Sequence, residues 1–264
     1  MDLQLKGKEA LVTGSTAGIG FAIAQALARE GASVIVNGRT QKRVDEALHR
    51  IRKEHRDAQV TGIAADLGAR DGVKACLKAA AQVDILVNNL GQYWPRPFEQ
   101  ISDDDWMKII ETNFMSGVRL SRHYLPQMKE KNWGRIIFIS SESAVNIPVE
   151  MIHYGVTKTM QLALARGLAE MTSATGVTVN SVLAGPTRSE GVETFVGQMA
   201  ESKKVSAAEV EKDFFKTVRP SSLLQRFETP DEIAAAVAFV ASPLASGING
   251  AALRVEGGVV KTIV

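Results

Sequence analysis

The sequence predicts an α/β protein, in which a doubly wound, Rossmann-type parallel sheet is flanked by helices on both faces of a single domain. Short β-rich runs alternate with longer helical patterns, as in a series of strand–helix–strand units. The strand segments are continuously apolar, which indicates burial on both faces of a parallel sheet. A glycine-rich turn joins the first strand to the first helix. Such sheets bind their ligands beyond the carboxyl ends of the strands.

The elements follow one another in a regular order. Apolar runs predict strands at residues 9–13, 33–37, 59–64, 84–88, 135–140 and 177–182. Apolar residues at helical spacing from Ile19 to Leu27 predict a first helix, and Gly31 ends it as a left-handed cap. A charged amphipathic pattern predicts a second helix over residues 41–53, and a third is centred on residues 74–81.

One domain is expected to span residues 1–264, because the chain has no linker, repeat or sharp shift in composition. The segment 189–222 differs in texture, being polar and mixed, and we expect it to form an inserted helical flap over the substrate. The large apolar residues of this flap either line a pocket or pack on one another. They are Phe195, Met199, Phe214 and Phe215.

Charge and composition exclude several classes of protein. Lys and Arg number 31 against 29 Asp and Glu, and no basic block marks a nucleic-acid or membrane surface. The longest apolar run, residues 233–241, is nine residues long, whereas a membrane span needs about 20. The amino terminus lacks the apolar core of a signal peptide, and Cys76 has no partner for a disulfide. A soluble protein of the reducing cytoplasm is expected.

The turn after the first strand carries Gly14, Gly18 and Gly20 in the spacing G-x-x-x-G-x-G. Glycines there permit a tight turn and let backbone N–H groups approach a pyrophosphate. A ligand-free strand-to-helix turn is the alternative. The position of the turn, directly after a strand and at the start of a helix, favours a dinucleotide.

The end of the second strand indicates which dinucleotide binds. An NAD-preferring site places an acid there to bind the ribose 2′-hydroxyl. This chain has no acid and offers Arg39, whose guanidinium suits a 2′-phosphate. The alternative is a solvated arginine. Together with the glycine turn, the pattern favours NADP(H).

Tyr154 and Lys158 form a Y-x-x-x-K pair, which places both side chains on one face of a helix. An ammonium near a phenol lowers the phenol pKa, so the tyrosine becomes usable as a general acid or base. Ser141 follows the fifth strand, where its hydroxyl could hydrogen-bond a substrate oxygen beside Tyr154.

With these residues the chain resembles the short-chain dehydrogenase/reductase family, in its short single-domain form. The resemblance covers essentially the whole chain. Its motifs are residues 13–20, Asp66, Leu67, residues 88–91, Asn113, Ser141, Tyr154, Lys158, residues 180–189 and residues 255–258.

The resemblance implies a catalytic tetrad of Asn113, Ser141, Tyr154 and Lys158. Tyr154 would exchange the proton, and Ser141 would orient the carbonyl. Lys158 would hold the nicotinamide ribose and lower the tyrosine pKa, while Asn113 would position a water. A homotetramer (or homodimer) is also implied, built on the long helices around Asn113 and Tyr154 and on the carboxyl-terminal strand.

The resemblance also implies a set of cofactor contacts along the carboxyl edge of the sheet. These are Gly14, Ser15, Thr16, Gly18, Ile19, Gly20, Arg39, Asp66, Leu67, Asn89, Leu90, Gly91, Tyr154, Lys158, Gly185 and Thr187. Leu90 and Ala184 depart from the family's usual alanine and proline. Ala17 replaces a basic residue of many NADP(H)-using members, so NAD(H) stays open as a second cofactor.

On the substrate side we expect contacts from Tyr93, Ser141, Ser143 and Tyr154. Glu142 is expected to be a polar loop residue, with a substrate contact as the alternative, and His153 to have a packing or solvent role. His49 and His55 are expected to be exposed. No His or acid pair has metal-ligand spacing, so no metal is expected.

The predicted function is hydride transfer between NADP(H) and the carbonyl or alcohol carbon of a small, partly apolar substrate. One alternative is reduction of a 3-oxoacyl thioester on acyl carrier protein. An alternative of another class is a regulator that binds NADPH without turnover, although such a sensor has no need of Tyr154 or Ser141.

Overall fold

A computed structural model describes residues 1–263, apart from the side chain of Phe195. Its centre is a seven-stranded parallel sheet in the order β3-β2-β1-β4-β5-β6-β7. The strands are β1 Glu9–Val12, β2 Ser33–Gly38, β3 Val60–Ala64, β4 Ile85–Asn88, β5 Gly134–Ser141, β6 Val177–Ala184 and β7 Ala252–Val255. The helices are α1 Gly18–Arg29, α2 Gln41–Glu54, α3 Arg70–Ala79, α4 Asp103–Ile110, α5 Ser116–Glu130, α6 Ile152–Glu170, α7 Glu190–Lys203, α8 Ala207–Thr217 and α9 Pro230–Ala241.

Helices cover both faces of the sheet, as the continuous apolar strands predicted. One face packs against α1, α2 and α9 through residues such as Leu27, Val44 and Val237. The other face packs against α3, α5 and α6 through residues that include Leu120 and Ala165. Burying apolar side chains on two faces supplies most of the stabilisation of such a sheet. The prediction of a doubly wound α/β fold is confirmed.

The strand order reverses beside β1. The chain proceeds outward from β1 to β2 and β3, and then returns to pair β4 with the free side of β1. The connections after β1 and β4 therefore diverge and leave a crevice at the carboxyl edge of the sheet. The glycine turn and residues 89–91 lie side by side at this edge.

Three strands run further at this edge than the sequence predicted, and the sixth strand reaches Ala184. The second strand reaches Gly38, because Gly38 pairs with Ala64 of β3. The fifth strand reaches Ser141, whose partner is Ala184 of β6. The extra pairings fix the backbone of residues that border the crevice. Strand β7 is half-exposed, so its apolar pattern is weaker than that of the inner strands.

The segment 189–222 contains α7 and α8, which pack on each other around a small apolar cluster of their own. Phe214 and Phe215 each lie with their ring centroids 5.1 Å from that of Phe227, and Met199 packs against the same group. These side chains therefore form the core of the segment. The expected contribution of Phe195 lies outside the described side chains.

Among the helices of residues 1–263, none is long and apolar enough to cross a membrane.

Candidate active site

Ser141, Tyr154 and Lys158 meet at the carboxyl edge of β5. Ser141 is the last residue of β5, Tyr154 lies in the first turn of α6, and Lys158 follows one turn later. The Lys158 Nζ atom lies 5.6 Å from the centre of the Tyr154 ring. The Ser141 hydroxyl lies near the Tyr154 phenol and favours its ionised form. The structure thus brings three of the four residues of the expected tetrad close together at this edge of the sheet.

Burial shifts the pKa values of both Tyr154 and Lys158. Burial raises the pKa of Tyr154 to about 12, while the Ser141 hydroxyl opposes the shift. The Lys158 ammonium donates a hydrogen bond to the Ile139 carbonyl oxygen at 2.8 Å, and burial lowers the Lys158 pKa to about 8. Lys158 is not among the groups that shift the Tyr154 pKa here, so the expectation that it draws this pKa down stays a prediction.

Asn113 lies in a single π-helical turn, Glu111–Met115, between α4 and α5. π-turns of this kind interrupt a helix to re-aim one side chain, often at a functional site. The Asn113 amide exchanges hydrogen bonds with the backbone N–H and carbonyl of Gln92, and it also donates to Thr157 Oγ1. Its own carbonyl oxygen accepts from Gln161 Nε2 at 2.7 Å. Asn113 thus anchors the loop after β4 against the helix that carries Tyr154.

The glycine turn fits a pyrophosphate. Gly14 and Gly18 have φ of +59° and +56°, in the left-handed region that glycine adopts without strain. A Cβ at Gly20 would lie 2.4 Å from Asn89 Nδ2, so only glycine permits this close packing. Helix α1 begins after Ala17 without a side-chain cap and without an acid in its first turn. The first N–H groups of the helix therefore have no side-chain partner and could bind an anion.

Ser15 and Ile19 support the turn from below. Ser15 is fully buried, and its hydroxyl donates to the Val12 carbonyl oxygen at 2.7 Å and accepts from the Asn37 N–H at 2.9 Å. Ile19 packs against the apolar core. Any contact of Ser15 with a cofactor would therefore be made through its backbone, whereas the Ile19 side chain is only partly buried.

Asn37 has a structural role at the site that the sequence interpretation missed. It is buried at the end of β2, where its Oδ1 accepts from the Gly14 N–H at 3.1 Å. Its Nδ2 donates to the carbonyl oxygens of Ile63 and Ala65, both at 3.1 Å. The side chain therefore fixes the glycine turn to the next two strands. A polar residue within an otherwise apolar buried strand was the signal for it.

The two residues after Asn37 are a closely packed glycine and an exposed arginine. A Cβ at Gly38 would lie 2.4 Å from Thr16 Cγ2, so an acidic side chain at this position would collide with the glycine turn. Arg39 is exposed and forms no ion pair with any residue that the structure describes. Its guanidinium is free to reach a ligand at the crevice.

The expected adenine contacts lie after β3. Asp66 is exposed and accepts a hydrogen bond from the Gly68 N–H at 3.0 Å, whereas the Leu67 side chain is buried in the core. Only the backbone of Leu67 can therefore face a ligand.

The loop after β4 forms the other side of the crevice. Asn89 Nδ2 donates to the carbonyl oxygens of Thr13 and Gly14, which joins this loop to the glycine turn. Leu90 is half-buried and packs against the core. A Cβ at Gly91 would lie 3.5 Å from Lys158 Nζ, so the loop passes close to the candidate catalytic residues.

Glu228 holds the loop after β6 and was also missed. Its Oε2 accepts from the Gly185 N–H at 3.1 Å, and its backbone forms a parallel bridge with Thr187. Burial raises the pKa of Glu228 to about 7, and the carboxylate of Glu256 adds to the shift. The expected nicotinamide-binding positions are thus fixed by a buried carboxyl group 43 residues further along the chain.

On the expected substrate side, an exposed tyrosine lies near buried polar residues. Tyr93 is 51% exposed and contacts Tyr154 edge to face, with ring centroids 5.8 Å apart. Ser143 is buried, and its hydroxyl donates to Glu142 at 3.0 Å. Glu142 is itself only 3% exposed and pairs with Arg219. The expectation that Glu142 is a polar loop residue is wrong, because Glu142 begins a short 3₁₀ turn and its side chain is buried.

The histidines have separate surroundings. His153 is buried between Trp94 and Trp106, with ring centroids 4.8 and 6.1 Å away, which confirms a packing role. His49 is exposed and His55 is half-exposed on or beside α2. Within the described part of the chain, no group of three His, Cys, Asp or Glu residues could hold a metal ion.

Known proteins share this arrangement. The short chain dehydrogenase family matches residues 8–199. The chain is 49% identical over 263 residues to the uncharacterized oxidoreductase YvaG of Bacillus subtilis, with both chains covered in full. It is 33% identical to D-beta-hydroxybutyrate dehydrogenase of Cupriavidus necator, over 96% of this chain and 98% of the relative.

A solved structure supports the same conclusion. L-sorbose reductase of Gluconobacter frateurii, complexed with NADPH and L-sorbose, is 28% identical and superimposes with a TM-score of 0.93 over all of both chains. Family match, relatives and fold agree with the geometry at Ser141, Tyr154 and Lys158. The chain therefore belongs to the short-chain dehydrogenase/reductase family of oxidoreductases.

Proposed function

We propose that the protein transfers a hydride between NADP(H) and the carbonyl or alcohol carbon of a small substrate. The observation that carries the proposal is the meeting of Ser141, Tyr154 and Lys158 beside the glycine turn. A proton donor and a dinucleotide site at one edge of a sheet are what carbonyl reduction requires.

Tyr154, Ser141 and Lys158 would each have a separate role in the reaction. Tyr154, with its pKa raised to about 12, is protonated at neutral pH and donates its proton to the carbonyl oxygen during reduction. Ser141 donates a hydrogen bond to the same oxygen, and both donors stabilise the charge that develops there. Lys158 supplies a nearby cation while its hydrogen bond to Ile139 holds it in place. When bound, the nicotinamide supplies the hydride in reduction or accepts it in oxidation.

The cofactor proposal rests on the crevice beside β1. The glycine turn and the start of α1 would hold the pyrophosphate, and Arg39 would bind the 2′-phosphate of NADP(H). Gly38 supports this choice, because an acid for the ribose 2′-hydroxyl does not fit against Thr16. The absence of a basic residue at Ala17 leaves NAD(H) as the weaker second cofactor. The relative bound to NADPH is in accord with this preference.

The substrate is proposed to be small and partly apolar, because Tyr93 presents an exposed ring beside Tyr154. Reduction of a 3-oxoacyl thioester is the alternative within the same chemistry. An NADPH-binding regulator without turnover is the alternative of another class, and the Ser141–Tyr154 pair argues against it.

Assembly and location belong to the same proposal. Long helices α5 and α6 and the half-exposed strand β7 are the surfaces on which a homotetramer (or homodimer) would form. The lone, buried Cys76 accords with a cytoplasmic location.

The test is consumption of NADPH and of NADH against a pooled panel of ketones, aldehydes and alcohols, with Tyr154→Phe run beside the wild type. Turnover by the wild type alone, faster with NADPH, is the expected result. Binding of NADPH by the wild type without turnover of any pool would favour the regulator. Equal turnover by Tyr154→Phe would contradict the proposed chemistry.

A further inference from the structure

We propose that Glu142 is a substrate-binding residue that accepts a hydrogen bond from a hydroxyl of a polyhydroxylated carbonyl substrate, with Arg219 holding its carboxylate in place. The inference rests on the proposed function and names the class of substrate, a ketose or the corresponding polyol.

The Glu142 carboxylate has one satisfied and one unsatisfied oxygen. Oε1 accepts from Arg219 Nε at 2.9 Å and from the Ser143 hydroxyl at 3.0 Å. Oε2 is buried and has no hydrogen-bond partner among the described residues. A buried acceptor without a donor costs free energy, and more so when it is charged. We therefore infer that a substrate group donates a hydrogen bond to Oε2.

The chemistry of the missing partner follows from the charges. Burial raises the pKa of Glu142, whereas Arg219 and the Ser143 hydroxyl favour its ionised form. As a carboxylate, Glu142 only accepts hydrogen bonds, so its partner must be a donor. Arg219 already balances the charge of Glu142, and the remaining Arg219 contacts are Glu150 Oε1 at 3.4 Å and the Val218 carbonyl oxygen at 3.0 Å. A second cation is therefore not required, and a neutral hydroxyl suits the site. A 3-oxoacyl chain offers oxygens and methylene groups near its keto carbon and would leave Oε2 unpaired.

The position of Glu142 places this hydroxyl close to the reacting carbon. Glu142 follows Ser141 directly, and the Ser143 N–H donates to Ser141 Oγ at 3.1 Å across the same turn. The Glu142 and Arg219 charges both act on the Tyr154 phenol. A substrate whose carbonyl oxygen meets Ser141 and Tyr154 would therefore extend the carbon next to it toward Glu142.

Arg219 reaches the floor of the site from the end of the segment 189–222. Its side chain is buried, and it joins that segment to Glu142, 77 residues earlier in the chain. Since Oε2 is covered in this structure, a substrate hydroxyl would enter as the segment moves aside and would be enclosed when Arg219 returns. Closing over a donor completes the hydrogen bonding of both carboxylate oxygens.

The experiment compares two six-carbon ketones, a ketohexose and 3-hexanone, as substrates of the wild type and of variants. Glu142→Gln retains the acceptor for Arg219 but removes the second carboxylate oxygen. The double variant Glu142→Met with Arg219→Met replaces the ion pair by apolar side chains of similar length, which folded proteins often tolerate. Asp213→Asn is the matched control, since Asp213 forms an exposed pair with Lys203 on the same segment.

The wild type should prefer the ketohexose, and kcat/KM for it should fall roughly 10- to 100-fold in both Glu142 variants. For 3-hexanone, the loss of kcat/KM should be at least about fivefold smaller than for the ketohexose, because a change at Tyr154 would affect both ketones alike. Asp213→Asn should match the wild type with both ketones. Equal losses for both ketones would overturn the inference and assign Glu142 a purely structural role. Reduction of 3-hexanone but not of ketohexoses by the wild type would overturn it as well, with the proposed function intact. Failure with every carbonyl pool would contradict the proposed function itself.

Discussion

The Lys158 ammonium donates a hydrogen bond to the Ile139 carbonyl oxygen at 2.8 Å, so the cation beside Tyr154 also ties α6 to β5. Two residues beyond Ile139, the same strand ends at Ser141. One strand thus orients both the hydroxyl that would meet the substrate oxygen and the lysine that stands next to the proton donor. The geometry of the site depends on the parallel packing of this strand and helix.

The burial of Lys158 predicts how reduction responds to pH. Its pKa is lowered to about 8, so its charged fraction falls as the pH rises through 8, whereas Tyr154, near 12, stays protonated. For carbonyl reduction we expect kcat/KM to be level below about pH 8 and to decline above it. The measurement is a kcat/KM profile from pH 6 to 10, which reports on the free enzyme. A profile that stays level to pH 10 would show that the charge of Lys158 is not needed.

Arg39 predicts cofactor preference. Arg39→Leu should raise KM for NADPH roughly 10- to 100-fold, the worth of a charge-assisted contact to phosphate, and should change KM for NADH less than about threefold. Lys53→Leu, at the far end of α2, is the control for a general loss of positive charge. Parallel titration with the two cofactors checks this. A similar loss with both cofactors would place Arg39 outside the 2′-phosphate site.

Asn37 predicts a link between stability and cofactor binding. Asn37→Ala would leave the Gly14 N–H and two strand carbonyls without partners, at a cost of about 2–4 kcal/mol in the free energy of unfolding. NADPH affinity should fall as the glycine turn loosens. Denaturant unfolding and a binding titration measure the two effects. Stability within about 0.5 kcal/mol of the wild type would mean that the amide network contributes little.

Because burial raises the pKa of Glu228, we expect the stability of the fold to depend on pH. A carboxyl group whose pKa rises from 4.5 to about 7 on folding stabilises the protein fully below pH 4.5, and this contribution is lost as the pH rises through 7. Besides Gly185, the charges of Glu232, Glu256 and Arg226 act on it. Glu228→Gln keeps the acceptor for the Gly185 N–H and removes the titration.

The variant should therefore gain stability relative to the wild type as the pH rises from 5 to 8, by at most about 3 kcal/mol. Thermal or denaturant unfolding of both proteins across that range gives the difference directly. Parallel curves for the two proteins would show that Glu228 titrates with an ordinary pKa in the folded state.

The fold and the approximate positions of the site residues could be predicted from the sequence, because both depend on local patterns. Continuous apolar strands predict a parallel sheet, and the sheet brings the glycine turn, Ser141 and Tyr154 to one edge whatever the details of packing. The Y-x-x-x-K spacing likewise predicts that Tyr154 and Lys158 share a helix face. It does not reveal that Lys158 bonds to Ile139, because that contact is set by how closely α6 packs on β5.

What the sequence could not reveal depends on residues far apart in the chain. Arg219 meets Glu142 across 77 residues, and Glu228 meets Gly185 across 43. A charged residue in a loop is ordinarily solvated, so a buried pair of this kind has no local signal. Asn37 lies between these two cases. A polar residue at the end of a buried strand is recognisable from the sequence, but its hydrogen-bond partners are not.

Tyr154→Phe tests the central claim most directly, because it removes one oxygen atom from the site and leaves the crevice beside β1 intact. NADPH affinity and the rate of carbonyl reduction would be measured on the same preparations of wild type and variant. The account predicts an NADPH Kd within about threefold of the wild type and a kcat at least roughly 100-fold lower. A variant that reduced the substrate at the wild-type rate would contradict the assignment of Tyr154 as the proton donor.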